Sequence, residues 1–167
     1  MTTIEEKAKK IKLLAFDVDG VMTDGGILYT EDGKEIKKFN AKDGQGLTNC
    51  IKNNFIIAII TARQNGTVAH RFEHLKAQEI HQGIKNKIVK LDEILKKYNL
   101  SYDEVAYMGD DLPDICILKK VGLATCPHDA VEEVKEKCDF ISSKEGGRGA
   151  VRELTDLVLN AQNISKI

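Results

Sequence analysis

Three apolar runs in this chain stop at polar residues, as buried strands do on reaching the edge of a sheet. Leu13-Leu14-Ala15-Phe16 stops at Asp17, the run over residues 55–60 stops at Thr61, and Val105-Ala106-Tyr107-Met108 stops at Gly109 and Asp110. Unbroken apolar runs of this length suit strands buried on both faces. Around them, apolar residues recur at helical spacing: Val68, Phe72 and Leu75; Ile88, Leu91 and Leu95; Val151, Leu154 and Val158. Strands alternating with helices predict an α/β chain with a Rossmann-like open parallel sheet flanked by helices. Weaker strands are expected at residues 79–81, 122–125 and 139–142. The length of 167 residues suits a single domain over 1–167, because a domain of ~150 residues buries roughly 70% of its unfolded surface. Residues after Asn160 are expected to fray.

One segment breaks the alternation. Ile27-Leu28-Tyr29-Thr30 and residues 35–39 flank Glu31-Asp32-Gly33-Lys34, and Asp-Gly between strand-like runs favours a β-hairpin, here about residues 25–40. Composition closes off other classes. Twenty-five basic residues against 26 acidic ones, a net charge of -1, leave no field for a nucleic-acid backbone. The charged first ten residues, and an apolar run cut short by Asp17, offer no signal peptide or membrane span, so a cytoplasmic protein is expected. Cys50, Cys116, Cys126 and Cys138 form no C-x-x-C pair and read as reduced core thiols. His70 and His74 are an i, i+4 pair without the glutamate of H-E-x-x-H and read as surface residues.

The chemistry lies where the strands end. Asp17 and Asp19 stand two apart, so both leave one face of the sheet if strand geometry persists to Asp19. Ligands bind at the carboxyl ends of strands in open parallel sheets, and two acids there suit a divalent metal and catalysis. An EF-hand loop fails, because its ligand and glycine positions fall on Val21 and Met22. Thr61 and Arg63 both suit a phosphate, although Thr61 alone also reads as a helix N-cap. Asp110, Asp111 and Asp114 form a third polar edge, in which Asp111 or Asp114 also reads as the cap of a helix starting near Pro113. A carboxylate beside a bound Mg²⁺ attacks phosphorus to give an aspartyl-phosphate, and a second carboxylate protonates the leaving alcohol. Lys85 and Lys87 offer the cation that such a reaction needs, though composition alone leaves both as solvated charges.

D-V-D-G-V, I-I-T-A-R, a downstream lysine and G-D-D-x-x-D together resemble the four ordered motifs of the haloacid dehalogenase-like phosphatases. More narrowly, D-V-D-G-V-M-T-D-G, the hairpin, N-A-K-D-G-Q-G, H-Q-G-I-K-N-K and G-G-R-G-A-V-R-E look like the family of 3-deoxy-D-manno-octulosonate 8-phosphate phosphatases, over about residues 13–157. The resemblance implies a capless haloacid dehalogenase-like fold with the hairpin as its flap. It makes Asp17 the nucleophile and a Mg²⁺ ligand, and Asp19 the general acid/base that also binds metal through its carbonyl. Asp110 becomes the remaining ligand, Thr61 and Lys87 the phosphate-binding groups, and Asp111 and Asp114 supporting residues. Ala62 departs from the glycine common at that position in the family.

The same resemblance implies a sugar-acid phosphate substrate met by Asp19, Asn40, Ala41, Lys42, Asp43, Gly44, Arg63, Arg71 and Lys87, and places the reaction in lipopolysaccharide precursor synthesis. Outside it, Arg71 reads as a solvated helical residue. A nine-carbon sialic-type acid phosphate, or a non-catalytic sugar-phosphate-binding assembly module, are the rival functions. Relatives without a cap close the site as homotetramers, and a lone two-stranded hairpin is marginal on its own, which favours the same packing. The glycine-rich loop at about residues 144–149 either brings Arg148 to a neighbouring subunit's substrate, as the resemblance implies, or is a flexible link to the last helix.

Overall fold

The computed structural model describes residues 2–166. In chain order it has α1 (Ile4–Ala8), β1 (Leu13–Phe16), β2 (Leu28–Tyr29), β3 (Glu35–Ile36), α2 (Ala41–Lys52), β4 (Ile56–Ile60), α3 (Gly66–His74), β5 (Glu79–His81), α4 (Lys87–Tyr98), β6 (Val105–Met108), α5 (Ile115–Leu118), β7 (Leu123–Cys126), α6 (Glu132–Lys135), β8 (Phe140–Ile141) and α7 (Ala150–Ala161). Six strands form one sheet in the order β5-β4-β1-β6-β7-β8, every pair of it parallel. The apolar runs are buried because alternate residues feed two cores. Leu14, Phe16, Ile57, Ile59 and Met108 pack with Leu47, Phe72 and Leu154 on one face. Leu13, Ala15, Ala58, Ile60 and Tyr107 pack with Leu91 and Ile117 on the other. Each large apolar side chain buried in this way stabilises the fold by roughly 1.5–3 kcal/mol.

The register sets up the site. Phe16 is level with Ile59 of β4 and Met108 of β6, so the polar residues after all three strands emerge at one edge, around the crossover that reverses from β1 to its two neighbours. The hairpin forms as β2 against β3, with Leu28 opposite Ile36 and Tyr29 opposite Glu35. It is shorter than the sequence suggests. Its turn runs from Thr30 to Gly33, whose amide donates to the Thr30 carbonyl, so Asp-Gly does not occupy the two central positions.

Three other expectations need correction, and apolar periodicity passes over one element. Residues 41–52 form a full helix, α2, which apolar periodicity hides because Gly46 replaces a large residue where α7 crosses: a Cβ there would lie 2.3 Å from Thr155 Oγ1. The chain after Asn160 does not fray up to Ile164, since the Gln162 amide donates to the Ala8 and Ile11 carbonyls at 3.0 and 2.8 Å and Ile164 packs on the core. Cys116 is exposed rather than a core thiol, while Cys50 and Cys126 are buried and all four cysteines are free. Thr61 caps no helix, because α3 is capped by Asn65. No helix among the described residues is long and apolar enough to cross a membrane.

Candidate active site

Asp17 is the first residue beyond β1, and its amide still donates to the Met108 carbonyl at 3.1 Å, which fixes it at the lip of β6. Strand geometry does not persist to Asp19. The chain turns at once, with the amides of Val21, Met22 and Thr23 all donating to the Val18 carbonyl at 3.2, 2.8 and 3.2 Å. Asp19 therefore reaches the same cleft as Asp17 through a turn, not through pleat alternation. The turn needs glycine at position 20: φ is +87°, and a Cβ there would lie 2.0 Å from Asp110 Oδ2. Gly146 supports it from behind, where a Cβ would lie 1.8 Å from the Gly20 carbonyl, and its amide is tied to Asp129 at 2.9 Å. The glycine-rich loop is thus packed beneath the Asp19 turn at Gly146.

The cleft gathers Asp17, Asp19, Thr61, Arg63, Lys87 and Asp110, with Asp111 and Asp114 among its walls. Lys87 is the lysine brought in, not Lys85. It opens α4 behind the Asn86 cap, its side chain is 4% exposed, and Nζ lies 3.0 Å from Asp17 Oδ1 and 2.7 Å from Asp114 Oδ1. Burial alone would lower its pKa, but Asp17 and Asp114 outweigh burial and the pKa is raised, so Lys87 stays an ammonium. Asp114 organises the group. Its Oδ1 also accepts from the buried Tyr107 hydroxyl at 2.6 Å, and its Oδ2 accepts from the amides of Asp110 and Asp111 at 3.0 and 3.3 Å. Asp111 caps the short turn that follows, accepting from the Leu112 amide at 2.8 Å.

The carboxylates are crowded. Burial, then the charges of Asp17, Asp114 and Asp111, push the Asp110 pKa up to about 8. Burial and Asp114 push Asp17 up to about 6 against the opposing pull of Lys87. Asp110 Oδ1 is buried without a hydrogen-bond partner, and oxygens of Asp17, Asp110 and Asp114 lie within 4.8 Å of one another. An orphaned carboxylate oxygen among hard oxygen donors fits a small divalent cation such as Mg²⁺.

The other residues expected at the substrate do not line this cleft in their own chain. Asn40 caps α2 by accepting from the Lys42 and Asp43 amides at 2.8 and 3.4 Å. Asp43 is buried and accepts from the Arg152 amide at 2.9 Å, joining α2 to α7. Arg71 lies over Gly44, its Nη2 2.3 Å from where a Cβ would be. Ala41 and Lys42 are exposed, and Arg148 is exposed and paired with Glu145 at 3.3 Å. His70 and His74 are exposed, as expected. Sequence reasoning missed Tyr107, which looks like any apolar strand residue, and Lys37 and Glu35, which look like ordinary hairpin charges. Glu35 bonds Arg63 Nη2 at 2.5 Å and Lys37 Nζ at 2.6 Å.

The profile of the haloacid dehalogenase-like hydrolases matches residues 73–154. The chain is 40% identical to 3-deoxy-D-manno-octulosonate 8-phosphate phosphatase of Salmonella typhi over 161 residues, 96% of this chain and 86% of that protein. The Yersinia pestis phosphatase of the same name has a crystal structure that superposes with a TM-score of 0.94 at 39% identity, covering 96% of this chain and 86% of that one. A second such structure, from Moraxella catarrhalis in complex with magnesium, phosphate and KDO, gives a TM-score of 0.94 at 41% identity, covering 96% and 92%. With the strand-end carboxylates, the buried lysine and the hairpin in place of a cap, these similarities show that the chain belongs to the 3-deoxy-D-manno-octulosonate 8-phosphate phosphatase family of haloacid dehalogenase-like hydrolases.

Proposed function

We propose that this chain hydrolyses 3-deoxy-D-manno-octulosonate 8-phosphate to the free sugar acid and inorganic phosphate, with Mg²⁺ held by Asp17, Asp110 and the Asp19 carbonyl. The observation that carries the reading is the buried ammonium of Lys87, 3.0 Å from Asp17, beside an Asp110 oxygen with no hydrogen-bond partner. A carboxylate oxygen of Asp17 attacks phosphorus while the ester oxygen departs with a proton from Asp19. Water then attacks the aspartyl-phosphate, Asp19 takes its proton, and Asp17 is restored. Thr61 and Lys87 hold the peripheral phosphoryl oxygens, where the transferring group spreads its charge. When bound, the Mg²⁺ neutralises charge between Asp17 and the phosphoryl group. The reading places the enzyme in the cytoplasm, supplying lipopolysaccharide precursors. Specificity constants on eight- and nine-carbon sugar-acid phosphates and on hexose phosphates test it. The eight-carbon ester is expected to lead, and a preference for hexose phosphates would overturn the assignment.

Arg63 meets the substrate in its own chain, while Lys42 and Arg148, both exposed, reach the cleft of a neighbour. Asn40, Asp43, Gly44 and Arg71 shape the segment that presents Ala41 and Lys42. The assembly we propose is a homotetramer joined through the hairpins, which gather Ile27, Leu28, Tyr29 and Ile36 at 48%, 57%, 61% and 49% exposure. Replacing both Leu28 and Ile36 by glutamate is expected to reduce the mass measured by light scattering to that of one chain. A variant that keeps the wild-type mass would rule the hairpin out as the contact.

A further inference from the structure

Lysine is among the residues least often buried, because an ammonium removed from water costs several kcal/mol unless paired. Lys37, just beyond β3, nevertheless has a side chain only 2% exposed. Its Nζ lies 2.5 Å from Asp19 Oδ1 and 2.6 Å from Glu35 Oε1. Glu35 continues to Arg63 Nη2 at 2.5 Å, and Arg63 Nε returns to Asp19 Oδ2 at 3.8 Å. Four alternating charges thus close a ring between the hairpin and the turn that bears Asp19. Within it the two oxygens of Asp19 differ: Oδ1 is occupied by Lys37, whereas Oδ2 is buried with no hydrogen-bond partner.

From this geometry, and resting on the phosphatase reading above, we infer that Lys37 is a positioning residue. It clamps Oδ1 of Asp19 so that Oδ2 faces the ester oxygen and exchanges its proton. The hairpin is then part of the catalytic apparatus of its own chain as well as a surface for neighbours. A purely structural salt bridge would fasten the hairpin without favouring any leaving group. A clamp on the proton donor makes a sharper demand. An alkoxide leaves poorly unless protonated, whereas p-nitrophenolate leaves well without help, so only the alkyl ester should depend on Asp19 being aimed.

The test is kcat/KM, which covers steps up to loss of the leaving group, measured on two esters: the alkyl phosphate that the wild type turns over best, and p-nitrophenyl phosphate. General acid catalysis contributes about 10²–10⁴-fold, so misaiming it in Lys37→Met should lower the alkyl value by roughly 10–100-fold while the aryl value stays within about 3-fold. Lys37→Arg, which keeps a cation between the two carboxylates, should restore most of the loss. If Lys37→Met does not fold, Glu35→Gln gives a milder version of the same discrimination with Lys37 and Asp19 intact. Equal losses on both esters, or no loss on either, would overturn the clamp. Because the ratio uses whichever alkyl ester the wild type prefers, it is independent of the substrate assignment, which fails instead through a wild-type preference for hexose phosphates.

Discussion

The Asp17→Asn protein is expected to fold and to release phosphate at least about 10⁴-fold more slowly than the wild type, as when other covalent nucleophiles are removed. An amide is a poor nucleophile toward phosphorus and a weaker metal ligand than a carboxylate, so neither phosphoryl transfer to residue 17 nor charge neutralisation survives. The fold should not suffer. Burial and Asp114 hold the Asp17 carboxyl near a pKa of about 6, against an ordinary 3.8, so at pH 7 the wild-type anion opposes folding in the absence of metal. Lys87 keeps Asp114 as a partner at 2.7 Å. Thermal unfolding without metal at pH 7 should therefore show a midpoint no lower than that of the wild type. Stopped-assay phosphate release measures the loss, and activity within tenfold of the wild type would reject a covalent mechanism through Asp17.

The parts of this site that show in the sequence are those fixed by strand ends. Asp17, Thr61 and Asp110 follow uninterrupted apolar runs, and a parallel sheet places such residues together whatever the intervening loops do. Lys87 is legible only through its motif, since its burial depends on Asp114 arriving from a different crossover. What the sequence hides are contacts made by polar side chains across long separations. Nothing local marks Lys37 as buried, because the hairpin around it is charged and the partner that makes burial tolerable, Asp19, lies 18 residues earlier. Likewise α2 escapes a periodicity argument because its contact face is built from Gly44 and Gly46, which add no hydrophobic signal while allowing Arg71 and α7 to approach. Asp43, which the motif places at the substrate, also ties α2 to the N-terminus of α7 through the Arg152 amide.

Stability should depend on metal and pH together, because three carboxylates share one small volume. Asp110 and Asp17 have folded pKa values raised to about 8 and about 6 from 3.8. Groups raised in this way add stability that is fully present below pH 3.8 and is lost as pH climbs through the folded values, so the metal-free protein weakens between about pH 4 and pH 8. A divalent cation takes the place of those protons and therefore binds more tightly at high pH. With Mg²⁺ at ~100 times its Kd the gain is about 2.7 kcal/mol, or roughly 5–10 °C in the unfolding midpoint for a chain of this size. Chelation should abolish turnover, and the midpoint difference between Mg²⁺ and EDTA should be larger at pH 8 than at pH 5.5. Asp110→Asn removes the group with the larger shift, so its metal-free midpoint should fall less over that range and respond less to Mg²⁺. Differential scanning fluorimetry at several pH values measures all of these: a metal-free midpoint that rises from pH 5.5 to pH 8 would show that the crowded carboxylates do not govern this range, and a Mg²⁺ gain undiminished in Asp110→Asn would show that Asp110 is not part of the cation site.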